Sequence, residues 1–241
     1  MQELEKTIEE LRAAEQEKEE ARLRINLEHI RKGVVFVDWK AAYIDASVSI
    51  GEGTVVYPGT ILERNTTIGA HCIIGPETRI SQSRIGDRVA ADHSVILESQ
   101  VEDGAKIGPF AYLRPGSRIG ENVKIGDFVE VKNSTLGRGS KASHLTYIGD
   151  SDVGENVNLG CGVVFVNYDG SQKYRSVVED GAFIGCNVNL ISPVKVGEQA
   201  YVAAGTTVTG SVPAGALCIG RTKERHIADW VRRRGIFKKE K

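Results

Sequence analysis

The chain has 241 residues, with 31 basic and 32 acidic side chains and a formal net charge of −1. That balance argues against a general nucleic-acid coat. No apolar run is long enough to span a membrane, and the charged N-terminus lacks the apolar stretch of a signal peptide. Cys72, Cys161, Cys186 and Cys218 are widely spaced, with no C-x-x-C pair. Reduced thiols in a cytoplasmic protein are the expectation, rather than a disulfide framework.

Residues 1–31 are rich in Glu, Lys, Arg, Ala and Leu and hold neither Gly nor Pro, which predicts one long helix. Leu4, Ile8 and Leu11 begin a coiled-coil spacing, Glu15 and Lys18 break it, and Leu23, Leu27 and Ile30 restart it. The pattern leaves two readings: a solvated helix docked through its last turns, and a short self-associating bundle. Residues 32–43 read as a linker.

From 44 to 219 the sequence keeps a six-residue period. Aliphatic residues recur at 44, 50, 56, 62, 68, 74 and 80, at 95, 101, 107, 113, 119, 125 and 131, and at 178, 184, 190, 196, 202, 208 and 214. A small residue often holds the fifth place of each unit. So short a period excludes helical arrays and predicts a parallel β-helix, one short strand and a turn per unit. Three units per coil make a triangular prism with three inward ladders, its coils about 4.8 Å apart. Steps of five replace six at Ile80 to Ile85, Val131 to Leu136 and Ile148 to Val153, and a longer insertion separates Phe165 from Val178. Loops that leave a solenoid often form its binding surface, which directs attention to residues 108–190. Residues 220–241 are basic, with Arg232, Arg233 and Arg234 beside Trp230, and are expected to form a short helix or tail.

Polar side chains concentrate in that stretch. They include Arg114, Glu130 and Lys132, the run Ser143-His144-Leu145-Thr146-Tyr147-Ile148-Gly149-Asp150, Asn158, Cys161, and the run Asn167-Tyr168-Asp169-Gly170 with Lys173. His144 alone among the five histidines lies inside the cluster. Histidine is the side chain that titrates near neutral pH without strong perturbation, so His144 is the candidate base. Glu130 is the candidate to orient it. The histidines are too scattered for a zinc hydratase site.

These runs closely resemble the acetyltransferase half of the bacterial bifunctional N-acetylglucosamine-1-phosphate uridyltransferases and glucosamine-1-phosphate N-acetyltransferases, a hexapeptide-repeat family. The similarity extends from about Arg24 to Arg221. It implies an all-β fold, a left-handed parallel β-helix flanked by the long N-terminal helix and a short C-terminal one. It implies acetyl-CoA-dependent N-acetylation of glucosamine-1-phosphate, on the route to UDP-N-acetylglucosamine and cell-wall precursors, with no metal needed for acetyl transfer. By resemblance His144 is the general base. Arg114, Lys132, Tyr147, Asn158 and Lys173 hold the sugar phosphate, and Cys161, Asn167, Tyr168, Cys186, Ala204 and Arg221 line the acetyl-CoA side. The resemblance also implies a homotrimer with active sites between subunits. No glycine-rich nucleotide-binding loop precedes the period, so UTP transfer is not expected from this chain; a separate uridyltransferase is a candidate partner for the N-terminal helix. Alternatives are an acetyltransferase for a related amino sugar and a catalytically decayed structural or regulatory trimer. Trp39 departs from the family's Asp-Pro pair.

Overall fold

The computed structural model describes residues 1–236. Among these residues the strands form three parallel sheets of 11, 10 and 9 strands, and each sheet takes every third strand of the chain, except at the last strand of the first sheet. The chain therefore winds as one β-solenoid, and the sheets are the three faces of a prism. Face one runs from Val35–Phe36 to Leu217–Cys218, face two from Tyr43–Ile44 to Thr207–Val208, and face three from Ser49–Ile50 to Lys195–Val196. The segment expected to be a linker thus carries the first strand, Val35–Phe36, paired with Val55–Val56.

The core is a stack rather than a globule. On face two, Ile44, Leu62, Ile80, Ile96, Leu113, Val131, Ile148, Phe165, Leu190 and Val208 are all buried, one per coil. Each rests on the residue one coil away, as Leu62 on Ile80 and Val131 on Ile148. The fifth place of the unit is also buried: Thr54, Thr60, Thr66, Cys72 and Thr78 are fully enclosed. Their polar atoms find backbone partners, as Thr54 Oγ1 donates to the Gly69 carbonyl at 2.8 Å. Burying such a hydroxyl without a partner would cost about 1–3 kcal/mol.

Two of the expected inward positions shift. Ile96, not Val95, is the buried residue, and it pairs with Ile80 and Leu113. The five-residue steps Ile80 to Ile85, Ala91 to Ile96 and Ile96 to Val101 shorten the turns and displace the period by one. At the far end Ala214 is exposed, and Val212 is the inward residue, bridged to Val196.

A 30-residue helix, α1 (Gln2–Arg31), caps the first coil. Most of its length is exposed, including Leu4, Ile8 and Leu11. It docks through its last turns. The fully buried Asn26 donates to the carbonyls of Trp39 at 2.7 Å and Ala42 at 3.0 Å. Arg22 donates to the Ala42 carbonyl at 3.0 Å and lies over the Tyr43 ring. These bonds satisfy carbonyls at the first end of the solenoid, where no preceding coil donates N–H groups to them. Trp39 thus contributes its backbone oxygen. At the other end the helix is confined to Trp230–Arg233, and residues 237–241 of the basic tail lie outside the described residues. No described helix is long and apolar enough to cross a membrane.

The shifted register makes a direct stability test. Ile96→Ala should cost about 2–5 kcal/mol by opening a cavity in the stack. Val95→Ala, half-exposed, should cost under about 1 kcal/mol. Urea midpoints of the two variants measured side by side check this.

Candidate functional site

The polar residues singled out in the sequence fall on two neighbouring edges of the prism and on the face between them. The edge between faces one and two is a column with one residue per coil. Asp127 pairs in register with His144, and Ala142 with Leu159, Leu159 with Ile184 and Ile184 with Val202. Two places beyond these strand residues stand Asp127, His144, Cys161, Cys186 and Ala204, in that order. His144 Nδ1 and Asp127 Oδ1 are 2.5 Å apart. The carboxylate can only accept, so Nδ1 carries the proton and Nε2 keeps its lone pair for a base's work. This hydrogen bond holds the Asp127 carboxyl below its ordinary pKa. Asp127, not Glu130, is therefore the partner of the imidazole. Its signal in the sequence was its distance from His144, one coil upstream.

The local backbone sets this pair. A Cβ on Gly126 would lie 2.0 Å from the Ser143 carbonyl oxygen, so only glycine lets the Asp127 and His144 strands approach this closely. The residues after them, Phe128 and Leu145, are held in the left-handed region at φ 55° and 48°. That conformation costs a bulky side chain about 1–2 kcal/mol. It also leaves Phe128 and Leu145 exposed beside the dyad, with Phe110 stacked on Phe128 at 5.5 Å.

Further down the same column the thiols of Cys161 and Cys186 are free. The Cys161 and Cys186 carbonyls accept from Asn187 and Gly205, each at 2.8 Å. Among the described residues the N–H groups of Cys161, Cys186 and Ala204 donate no hydrogen bond. They form a row of open donors. Arg221 folds back onto this row, its guanidinium donating to the Ala204 carbonyl at 2.7 Å.

Face two carries the cations. Glu130 pairs in register with Tyr147, and Lys132 with Gly149. Arg114 donates to Glu130 at 2.8 Å, and this bond raises its pKa. Lys132 lies 3.6 Å from Asp150. Lys173 comes in from the loop after Asn167 toward Lys132, and its interaction with the Lys132 ammonium brings the Lys173 pKa down. Tyr147 folds along the sheet, which requires a glycine. A Cβ on Gly149 would lie 2.5 Å from the Tyr147 hydroxyl and 2.7 Å from Asn167 Nδ2.

The edge between faces two and three holds a second column: Asn133, Asp150 and Asn167 on successive coils. Asp150 accepts from Asn133 Nδ2 at 2.6 Å on one oxygen and from Asn167 Nδ2 at 2.5 Å on the other. Burial would raise the Asp150 pKa, but the two amides and Lys132 outweigh it and hold the carboxyl below its ordinary value. The chain leaves the coil after Asn167 as a loop closed by Tyr174, whose N–H bonds the Asn167 carbonyl at 2.9 Å. Inside it Asp169 accepts from the backbone of Ser171 and Gln172 and from the Tyr174 hydroxyl, while Tyr168 donates to the Gly170 carbonyl. Arg175 fastens the loop to the prism by gripping Asp152 and the Asn133 carbonyl, the latter at 2.9 Å.

One chain thus brings together Arg114, Glu130, Lys132, Tyr147, Asn167 and Lys173, with Tyr168 in the adjoining loop. It does not bring these to Cys161, Cys186, Ala204 and Arg221, which follow His144 along the other edge. Asn158 stands on face one, paired with Lys141 and Phe183. Asp127, Gly149, Asp150 and Arg175 had been given no role from the sequence. The whole arrangement is open: the His144 side chain is 56% exposed.

A family described as bacterial transferase hexapeptide (six repeats) matches residues 47–82, 98–133 and 175–210. The bifunctional protein GlmU of Acetivibrio thermocellus is 55% identical over 220 residues, 91% of this chain and 48% of that protein. GlmU of Caldicellulosiruptor saccharolyticus is 56% identical over 225 residues, 93% of this chain and 48% of the relative. That of Clostridium botulinum (strain Langeland) is 50% identical over 218 residues, 90% and 48%. Among solved structures, a UDP-N-acetylglucosamine acyltransferase of Francisella novicida superposes with a TM-score of 0.46 at 18% identity, over 81% of this chain and 72% of that one. The chain spans about half the length of the GlmU relatives it matches, the half that carries the acetyltransferase repeats. With its period, its three parallel sheets and its match to both the repeat family and these relatives, the chain belongs to the hexapeptide-repeat family, as a left-handed β-helix that matches about half of GlmU.

Proposed function

We propose that this chain transfers the acetyl group of acetyl-CoA to the amine of glucosamine-1-phosphate in the cytoplasm, with His144 as general base. The observation that carries the reading is the His144–Asp127 pair standing at the edge of a face that gathers Arg114, Lys132 and Lys173. A base with a fixed tautomer beside a cluster of cations suits an amine that carries a phosphate. Arg114 grips such a group through its fork, and Lys132 and Lys173 act as point charges. A phosphate dianion would relieve the repulsion between the two lysines.

In the reaction the amine attacks the thioester carbonyl as a neutral nucleophile. His144 Nε2 takes the proton that the new amide nitrogen sheds, and Asp127 stabilises the imidazolium. The carbonyl then re-forms, the C–S bond breaks, and the proton on Nε2 is available to the departing CoA thiolate. The open N–H row of Cys161, Cys186 and Ala204 suits the extended pantetheine arm, which would lie along the edge as an added strand does. Arg221 at the end of the row suits a CoA phosphate.

The active form in this reading is a homotrimer. Residues expected to meet one substrate lie on different faces of one prism, so neighbouring copies would complete each site. The exposed stripe of Phe110, Phe128 and Leu145 beside His144 supports close association there. The decayed-trimer reading is the less favoured, because the base, its carboxylate partner and the cation cluster are all in place.

A mixture of protein, acetyl-CoA and glucosamine-1-phosphate should release free CoA, and His144→Ala should slow that release by about 10²–10⁴-fold. Equal rates from the variant would sink the proposed base, and no CoA from wild type would sink the reaction. A panel of other amino sugars then separates glucosamine-1-phosphate from a related acceptor. Asp127→Asn should lower kcat, since the imidazolium formed in the reaction loses its counter-ion. An unchanged kcat would remove Asp127 from the mechanism.

A further inference from the structure

We propose that Asp150 is a positioning residue that fixes the orientation of the Asn167 amide, and so decides which Asn167 atom faces an amide-bearing ligand. This rests on the reading of Asn167 as part of the acetyl-donor site. Asp150 sits in the middle of the Asn133–Asp150–Asn167 column, with its side chain only 11% exposed. One carboxylate oxygen takes the Asn133 amide and the other takes the Asn167 amide. An ionised carboxylate has no proton to give. Both neighbours must therefore turn their NH2 groups toward it, and the two-fold ambiguity of each amide is removed. For Asn167 this leaves Oδ1 as the outward atom, and no described protein donor bonds it. A carbonyl-type acceptor held there suits a ligand that presents N–H groups. The secondary amides of a pantetheine arm are such donors.

The same carboxylate reaches Lys132 at 3.6 Å, on the cation face. Asp150 therefore touches one group expected on the acceptor side and one expected on the donor side. The backbone supports it in that place: its N–H donates to the Lys132 carbonyl at 3.0 Å, and its own carbonyl accepts from Ser176 at 3.2 Å. Its φ of 48° lies in the left-handed region, which Asp and Asn tolerate better than most residues. An asparagine at this position would keep the shape and lose the logic. Its side chain accepts on one side and donates on the other, so it cannot receive both neighbouring NH2 groups, and Asn167 becomes free to flip.

The test is an exchange of the two groups. Asp150→Asn, Asn167→Asp and the combined swap are compared with wild type by calorimetric titration with CoA, by KM for acetyl-CoA and for glucosamine-1-phosphate, and by melting temperature. Each single variant should weaken CoA binding about tenfold, the effect of one misdirected hydrogen bond. In the swap, the introduced amide donates to the introduced carboxylate one coil away, and an oxygen again faces outward. CoA affinity should then return to within about threefold of wild type. A swap that binds CoA no better than the singles overturns the proposal. So does an Asp150→Asn protein whose melting temperature falls while its CoA affinity holds, which would mark a structural role alone. If Asp150→Asn does not fold, Asn167→Asp and the swap read the same coupling. A wild type that binds no CoA defeats the donor-site reading and this proposal together. A wild type that binds CoA but acetylates no glucosamine-1-phosphate defeats only the acceptor, and the swap still reads this proposal.

Discussion

Everything in this molecule depends on one coil resting in register on the next. Face-two residues such as Val131 and Ile148 are buried only because each covers the other. A single coil has no interior of its own, so the apolar free energy of folding appears at the contacts between coils. The same stacking rule that builds the core also arranges the chemistry outside it. A residue two places past an inward position on one coil must lie over the residue two places past it on the next. Functional groups therefore come as columns, and residues distant in sequence by one coil become neighbours without any loop or helix to bring them together.

That constraint explains what could be read from the sequence and what could not. The period was legible because inward residues must be aliphatic and the fifth place must be small or able to bond the backbone, as Thr54 does. The steps of five were also legible, but their effect on register was not. Ile96 and Val95 are both aliphatic, and hydropathy alone cannot say which of two adjacent branched residues faces inward. At the C-terminal end Ala214 fits the period, but the turn after Val208 is shortened and Val212 bridges to Val196 instead. His144 stood out by its residue type. Its partner did not, because Asp127 resembles any surface carboxylate until the coil length is added to its position. Glu130 looked the better candidate only by nearness along the chain, whereas its charge goes to Arg114 at 2.8 Å.

The site also shows where regularity is given up. The prism tolerates Phe128 and Leu145 in left-handed turns, next to Asp127 and His144. It needs Gly126 and Gly149 where a Cβ would strike the neighbouring coil or the Tyr147 ring. Strain of this kind persists only where surrounding bonds over-determine the backbone. Here the ladder on both sides of the turn supplies them, as Gly162 N–H bonds the Leu145 carbonyl and Leu145 N–H bonds the Asp127 carbonyl. The stiffness of the solenoid is thus what allows an unfavourable turn to hold a dyad in place.

A prism also limits what one chain can do. Its faces diverge from each edge, so side chains on face one and face two point away from each other, and no pocket can close between them. Asn158 and Lys132 illustrate this: each projects outward from its own sheet. A reaction that joins two large substrates and must keep water from a thioester needs walls on more than one side. The fold can supply them only by setting the edge of one prism against the face of another. The exposed Phe110, Phe128 and Leu145 lie along the edge where such walls would meet, so the surface that would hold copies together and the surface that would hold the reactants are the same strip of the coil.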